Sequence, residues 1–447
     1  MAIDSEIPSA FAVRRCKAKF VTPAKPSPHE RKLLSDIDDQ QSLRFQVPYN
    51  QFYRFDPAMQ GKDPVKIIRR RSKKTLVFYY PFAGRLREGV NGKLIVDCTG
   101  EGVLFIEADA DLTVEQFGAA LHPPFPFFDE LLYNVPGSDE TLNYPLLLIQ
   151  VTRLKCGSFI FAIRFNHVIC DGTGIKQFMF DMGEIARGAS SCSISSVWEK
   201  HLFDAEDPPL VTFKHHEYDE VEATAAATWP SDNLVQRSFF FGPDEVSVLR
   251  MLLPTHLHNF TKFELLTACL WRCRTIALNL DPDEKVRMLC AANLRPRSNP
   301  SLPSGYYGNA FVFPSEITTV GKLVRNPLGY AVELVKQVKA NTKMEYPKSV
   351  AALMVSRGKQ LHLPNVMGSY IISDLTKMGY EEVDFGWGKA VFAGPAKALG
   401  VISFFIESNK KGEDGTLVPI CLPAPAMERF ADELDILKQQ PMEDKKS

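Results

Sequence analysis

Between Ser158 and Asn166 the chain alternates without a break. Phe159, Phe161, Ile163 and Phe165 fall on one side, and Ile160, Ala162, Arg164 and Asn166 on the other. A period of two is the mark of a strand. A few residues later the period lengthens: Ile175, Phe178, Met179, Met182, Ile185 and Ala186 recur at helical spacing, and Arg187-Gly188 supplies a stop. The continuous apolar run Leu146-Leu147-Leu148-Ile149-Gln150-Val151 reads as a buried strand. Upstream, Pro64 to Leu76 has a helical pattern, and Lys93 to Val96 and Val103 to Glu107 read as strands parted by Gly100 and Gly102.

The segment from Gly188 to Asn233 breaks this regularity with Ser-rich, Pro-Pro, acidic and Ala-rich pieces. It reads as a linker or crossover. Regular patterns then resume: strand-like Ser238 to Phe241, a helix from Phe263 to Leu278 striped by Leu266, Leu270, Cys273 and Ala277, and a helical stretch from Pro327 to Met344. Strands are expected at Tyr370 to Ser373 and Val401 to Ile406, a last helix from Ala424 to about Leu437, and a disordered charged tail from Glu443 to Ser447. The chain thus divides into an N-terminal domain of residues 1–187, a crossover of 188–233 and a C-terminal domain of 234–447, a mixed α/β arrangement without internal repeats.

Length and composition agree: 447 residues, 45% hydrophobic and 23% charged, suit two ordinary soluble domains. The 31 Phe residues leave room for apolar pockets, although core packing alone explains them. A net charge of −1 gives no overall basic field for a nucleic acid backbone. The one dense cationic run, Arg69-Arg70-Arg71-Ser72-Lys73-Lys74, reads as the solvated face of a short helix. The nine Cys are scattered without C-x-x-C spacing, as expected of thiols in a reducing, cytoplasmic compartment. The N-terminus lacks a signal pattern, and no apolar stretch is long enough to span a membrane.

Candidate chemistry centres on His167-Val168-Ile169-Cys170-Asp171-Gly172, set between the alternating strand and the helix. A histidine held there can serve as a general base near neutral pH, with the carboxylate fixing the ring or the local backbone. A purely structural reading stands beside it: a histidine ending a strand, with Asp171 as helix N-cap. Other site classes fit poorly. His215-His216 and His256/His258 lack metal-ligand spacings and are expected to face solvent. No G-x-S-x-G elbow and no phosphate-cradling glycine loop occurs. In Asp384-Phe385-Gly386-Trp387-Gly388 the glycines permit a tight backbone and the indole locks a loop by burial, while Asp384 could act as a second acid or base.

With H-V-I-C-D-G and D-F-G-W-G in this order and at this distance, the chain resembles the plant BAHD acyltransferases. The likeness extends through Leu33-Leu34-Ser35, Tyr79 to Leu86, Tyr306-Tyr307-Gly308-Asn309 and Met427 to Phe430. Leu33 to Gln40, Lys93 to Ala108 and Gly388 to Leu399 look most like the alcohol acyltransferase branch, which includes benzyl alcohol benzoyltransferases. The resemblance implies two similar-sized chloramphenicol-acetyltransferase-like domains with a channel at their interface and His167 midway along it. It implies acyl-coenzyme A as co-substrate and a small alcohol as acceptor. No metal, no permanently bound cofactor, no nucleic acid or membrane partner and a monomeric state are expected. His167 would be the base, with Asp384 carried over as a second functional position. Asp171 and Gly172 would organise the loop, with Arg295 as partner of Asp171. Ser373 and Asn309 would stand near the oxyanion or line the channel, and Cys170 would not act as a nucleophile.

Two departures from the family stand out: Asn293 where relatives often have Asp, and the charges of Arg70-Arg71-Ser72-Lys73 where they carry an acidic residue followed by small and apolar ones. The alternatives are an acyltransferase for an alkaloid or terpenoid hydroxyl or for an amine, and a coenzyme A-binding scaffold with a degenerate site.

Overall fold

A computed structural model describes residues 12–439 except 118–120, 126, 139, 220–232, 298–300, 341, 343–344, 358–360, 362, 364–366, 399 and 411. The expected charged tail and part of the crossover lie outside the described residues, as does the end of the helical stretch to Met344.

Two mixed sheets organise the fold. In the first, the strands run in the order Val13–Arg15, Val103–Ala110, Leu147–Leu154, Phe159–Asn166, Gln46–Tyr53 and Phe392–Pro395, with Lys19–Val21 also pairing with Val103–Ala110. In the second the order is Leu234–Phe241, Glu413–Pro423, Ile402–Lys410, Ser369–Asp374, Lys285–Cys290 and Ser315–Thr319. A small sheet of Arg31–Leu33, Leu94–Asp97 and Arg85–Glu88 stands apart. The strand Phe392–Pro395 belongs by sequence to the second half, yet it pairs antiparallel with Gln46–Tyr53 of the first.

The alternation of Phe159–Asn166 does not separate buried from solvated positions, because only Arg164 in that strand is partly exposed. Leu147–Leu154 and Gln46–Tyr53 flank it on both edges. Its two faces enter different apolar clusters: Phe159, Phe161, Ile163 and Phe165 join the main core, whereas Ile160 packs with Phe52, Phe240, Phe392 and Phe404. That main core also takes in Leu289, Tyr307, Phe311, Phe313 and Ile371 from the second half. A separate core lies under the helices Lys262–Leu278, Leu328–Ala340 and Ala424–Gln439.

The helix Pro64–Phe78 starts where Asp63 accepts the Val65 N–H, with Pro64 in its first turn. Arg70, Lys73 and Lys74 are exposed on it, as expected of a solvated face, and Ser72 turns inward. Arg71 is half-buried, and its Nε lies inside without a hydrogen-bond partner, the local cost of this chain's departure. His256 and half-exposed His216 match their expected solvent-facing positions, but His215 does not. Its ring is buried because Glu217 at 2.9 Å and the Ser349 hydroxyl at 2.8 Å satisfy both nitrogens.

The described part of the crossover is packed rather than free. Val197 forms a parallel bridge with Tyr306, and its N–H donates to Gly305 at 2.9 Å.

Candidate active site

The strand Phe159–Asn166 and the helix Gly172–Ala186 are the rigid arms that hold the hexapeptide. His167 N–H donates to Phe45 O at 2.9 Å, and the imidazole sits among the rings of Phe45, Phe311 and Phe165. It lines a cavity of about 170 Å³ between the two halves. Leu43, Phe45 and Gly172 reach that cavity from the first half, and Phe311, Ser373 and Phe404 from the second. Burial pulls the His167 pKa below its ordinary value of 6.5, partly countered by Asp171, Asn309 and Asp38. Burial therefore favours the neutral ring.

Which nitrogen carries the proton follows from Asn309, which is fully buried. Its Nδ2 donates to Asp38 Oδ1 at 2.7 Å and to the His167 carbonyl at 2.8 Å. Both partners are acceptors, so the amide can lie only one way round, with Oδ1 towards His167 Nδ1 at 3.1 Å. That oxygen requires Nδ1 to be the protonated nitrogen, which leaves the lone pair on Nε2. Asn309 was expected near the oxyanion or along the channel, but it is not among the residues that line the cavity, and both of its amide hydrogens are already engaged. It orients the ring instead.

Asp171 does not reach the ring as a proton-relay partner. Its Oδ2 and Oδ1 take a bidentate pair from Arg295 at 2.7 and 3.0 Å, plus the N–H groups of Ala310 and Gly174 at 3.0 Å each. Burial alone would raise its pKa, but the Arg295 charge and these hydrogen bonds hold it below the usual carboxylate range. Asp171 is thus both helix N-cap and ion-pair partner. Arg295 also donates to Gly308 O at 2.9 Å, tying the Tyr306–Asn309 loop to the hexapeptide. Gly174 permits this closeness, because a Cβ there would lie 2.0 Å from Tyr307 O. Asn293 lines the cavity and accepts the Arg295 N–H at 3.0 Å.

Ser373, on Ser369–Asp374, and Thr173, in the first turn of Gly172–Ala186, both line the cavity. Cys170 is buried, and burial pushes its thiol well above its ordinary pKa, away from nucleophilic use.

Asp384 lies elsewhere. Its Oδ1 accepts the N–H groups of Gly386 at 2.6 Å and Gly388 at 2.8 Å, and its backbone packs at Gly183, where a Cβ would be 2.7 Å from Asp384 O. Gly183 is eleven residues along the helix from Gly172, roughly 16 Å. Asp384 is not among the residues that line the His167 cavity, so the geometry gives no support to a catalytic Asp384.

Two residues that sequence reasoning did not single out belong to this site, Asp38 and Lys200. Asp38 lay within the Leu33 to Gln40 run already tied to the family. Lys200 is a lone lysine in an irregular segment and carried no signal.

Residues 11–437 match the model of the Transferase family. The chain is 59% identical to benzyl alcohol O-benzoyltransferases of Petunia hybrida and Nicotiana tabacum, covering 95% of this chain and 93% of each relative. It is 52% identical to alcohol acyl transferase 1, allele GSa, of Malus domestica, over 97% of this chain and 95% of that one. Among solved structures it is similar to vinorine synthase, with a TM-score of 0.72, 20% identity and coverage of 95% and 98% of the two chains. It is also similar to F. sporotrichioides TRI101 complexed with coenzyme A and T-2, with a TM-score of 0.69, 20% identity and coverage of 90% and 97%.

Proposed function

The chain belongs to the Transferase family, and from that premise we propose that it is an acyl-coenzyme A-dependent alcohol O-acyltransferase with His167 as its general base. One observation carries the reading: an imidazole whose Nδ1 is engaged by Asn309 Oδ1, which assigns the basic lone pair to Nε2, lining a mainly apolar cavity between the two halves. Relatives sharing 59% of their residues are benzyl alcohol O-benzoyltransferases, which favours a small alcohol as acceptor and benzoyl or acetyl as acyl group.

Nε2 takes the proton of the acceptor hydroxyl as its oxygen bonds to the thioester carbonyl carbon. The carbonyl electrons move onto oxygen, and hydroxyl donors such as Ser373 and Thr173 stabilise that charge. When the oxyanion collapses, the C–S bond breaks and the departing thiolate takes the proton back from Nε2. Ester and free coenzyme A leave, and no acyl-enzyme is needed. Asp171, Gly172 and Arg295 hold the loop, and Asp384 holds its own loop. We include in this reading an N-terminal domain of 1–187 and a C-terminal domain of 234–447 joined by the 188–233 crossover, a monomeric state and a cytoplasmic location. Among the described residues no helix is long and apolar enough to cross a membrane.

The test is a matrix of donors and acceptors. Benzoyl- and acetyl-coenzyme A are each incubated with benzyl alcohol, aliphatic alcohols, an alkaloid alcohol and an amine, and both free thiol and product are measured. Ester formation from small alcohols supports the reading. Turnover only with alkaloid or amine acceptors would move it to that substrate class. Binding of coenzyme A without any turnover would leave a scaffold.

A further inference from the structure

One charged pair beside the site is neither substrate-facing nor part of the Asp171–Arg295 brace. Lys200 Nζ lies 3.0 Å from Asp38 Oδ2, with the side chains 1% and 0% exposed. A fully buried ion pair is a weak source of net stability, because desolvating both charges offsets most of their attraction. Its connections point to positioning. Asp38 Oδ2 also accepts the Ser35 N–H at 3.0 Å and the Ser35 hydroxyl at 2.6 Å. Asp38 Oδ1 accepts Asn309 Nδ2 at 2.7 Å and Asn309 N–H at 3.3 Å. Lys200 Nζ donates to the carbonyl of Ile169 at 2.7 Å and contacts that of Val168 at 3.4 Å, both within the His167 loop. Its charge also rests over the Trp198 ring, 4.8 Å from the centroid. Three distant stretches thus meet behind the imidazole: the Leu33–Gln40 turn, the crossover and the Tyr306–Asn309 loop.

We propose that Asp38 and Lys200 form a positioning lock that holds the Asn309 amide in the one orientation that keeps His167 protonated at Nδ1 and basic at Nε2. The proposal rests on the reading of His167 as the base. Both Asp38 oxygens accept from surrounding N–H and O–H donors, so Oδ1 takes the amide Nδ2 and opposes the flipped amide. Lys200 pairs with the other oxygen of that carboxylate at 3.0 Å and grips the loop just beyond the histidine. Neither residue touches the reacting atoms. The crossover therefore supplies the charge that fixes the tautomer.

Asp38→Asn reverses one end of the lock. With its oxygen kept towards Lys200 and Ser35, the new amide presents N–H groups to Asn309. Of the two acceptors that hold Nδ2, only the His167 carbonyl then remains, so the amide is no longer locked: a flipped Asn309, with Nδ2 aimed at His167 Nδ1 and the proton on Nε2, competes with the original orientation. The experiment combines ¹⁵N-histidine NMR, with the His167 signals assigned by His167→Ala, and steady-state kinetics of the full chain. The unsubstituted protein is expected to show the Nδ1–H tautomer at His167, and an Nε2–H tautomer there would overturn the proposal without any variant. Asp38→Asn should populate the Nε2–H tautomer beside the Nδ1–H form and lower kcat by ~10-fold or more, as expected when a general-base histidine is drawn into the wrong tautomer, with both KM values little changed. Lys200→Met should lower kcat by ~10-fold, and Lys200→Arg should recover most of it, since only the charge is restored. Wild-type kcat in Asp38→Asn, or a loss with the tautomer unmoved, would refute the lock. If His167→Ala itself remains active, the base assignment fails, which is a separate result.

Discussion

The helix Gly172–Ala186 has one sequence motif at each end, and both use an aspartate in the same way. At its start Asp171 gathers the N–H groups of Gly174 and Ala310 and a bidentate arginine. Near its end Asp384 gathers the N–H groups of Gly386 and Gly388, and Arg187 reaches its Oδ2 at 3.8 Å. Each carboxylate shapes a backbone. What differs is the neighbour that the shaped backbone presents. One loop delivers the His167 ring to a cavity, and the other delivers Phe385 and Trp387 to the core. Phe385 meets Phe161 at 5.0 Å, and Trp387 meets Phe159 edge-on at 5.1 Å. Tyr53 fastens the second loop further by donating to Val383 O at 2.8 Å. An aspartate in a signature motif is therefore no sign of acid–base chemistry by itself; the residue it positions decides.

The comparison breaks most sharply at His167. His167→Ala should cost ~10²–10⁴-fold in turnover while acyl-coenzyme A still stabilises the fold, measured by initial rates and by thermal shift with ligand. Asp171→Ala should act on stability first. It leaves Arg295 without its carboxylate and two N–H groups without an acceptor, so a loss of ~3–5 kcal/mol is expected in denaturant unfolding. Trp387→Ala should cost ~3–5 kcal/mol by opening a cavity against Phe159, without the added penalty of a stranded charge. The residual folded fraction should keep its affinity for the acceptor. If Trp387→Ala instead changed acceptor KM at intact stability, the second loop would be part of the substrate path.

The same contrast separates what is local in this sequence from what only tertiary pairing decides. Periodicity located Phe159–Asn166, Gly172–Ala186 and Lys262–Leu278 because each reports its own repeat. It missed Gln46–Tyr53, where Pro48 interrupts a strand pattern that tertiary pairing nonetheless completes. It also missed the helix Glu345–Arg357, whose early Pro347 lies in the first turn, where proline is tolerated. Nothing local could announce that Phe392–Pro395 crosses to the first sheet, since that depends on partners more than three hundred residues away. At the site, the hexapeptide marked His167, and the family resemblance supplied Arg295. The Asp38–Lys200 pair stayed hidden because a lysine in an irregular segment looks solvated until the fold buries it.

A pH profile sharpens the active end. The reacting form of His167 is neutral, and burial lowers its pKa, so the acid limb of kcat/KM should fall below 6.5. At pH 6 a histidine of ordinary pKa would leave roughly one quarter of the activity, and this enzyme should retain more. A limb at or above the ordinary value would mean that the charges of Asp171 and Asp38 outweigh burial at the ring.

The smallest effect is expected at Asp384, and it is the most discriminating. Asp384→Asn keeps an oxygen able to accept the Gly386 and Gly388 N–H groups and removes only the charge. If the residue is a loop organiser, kcat should stay within a few-fold of the parent and unfolding should lose about 1 kcal/mol, the worth of weakened hydrogen bonds. A second acid or base would behave differently: the carboxamide cannot exchange a proton, so kcat would collapse at unchanged stability and the pH profile would lose a limb. Separation along the helix argues for the first outcome. A carboxylate roughly 16 Å from the start of that helix cannot reach a hydroxyl held at His167, and its two hydrogen bonds already account for its place.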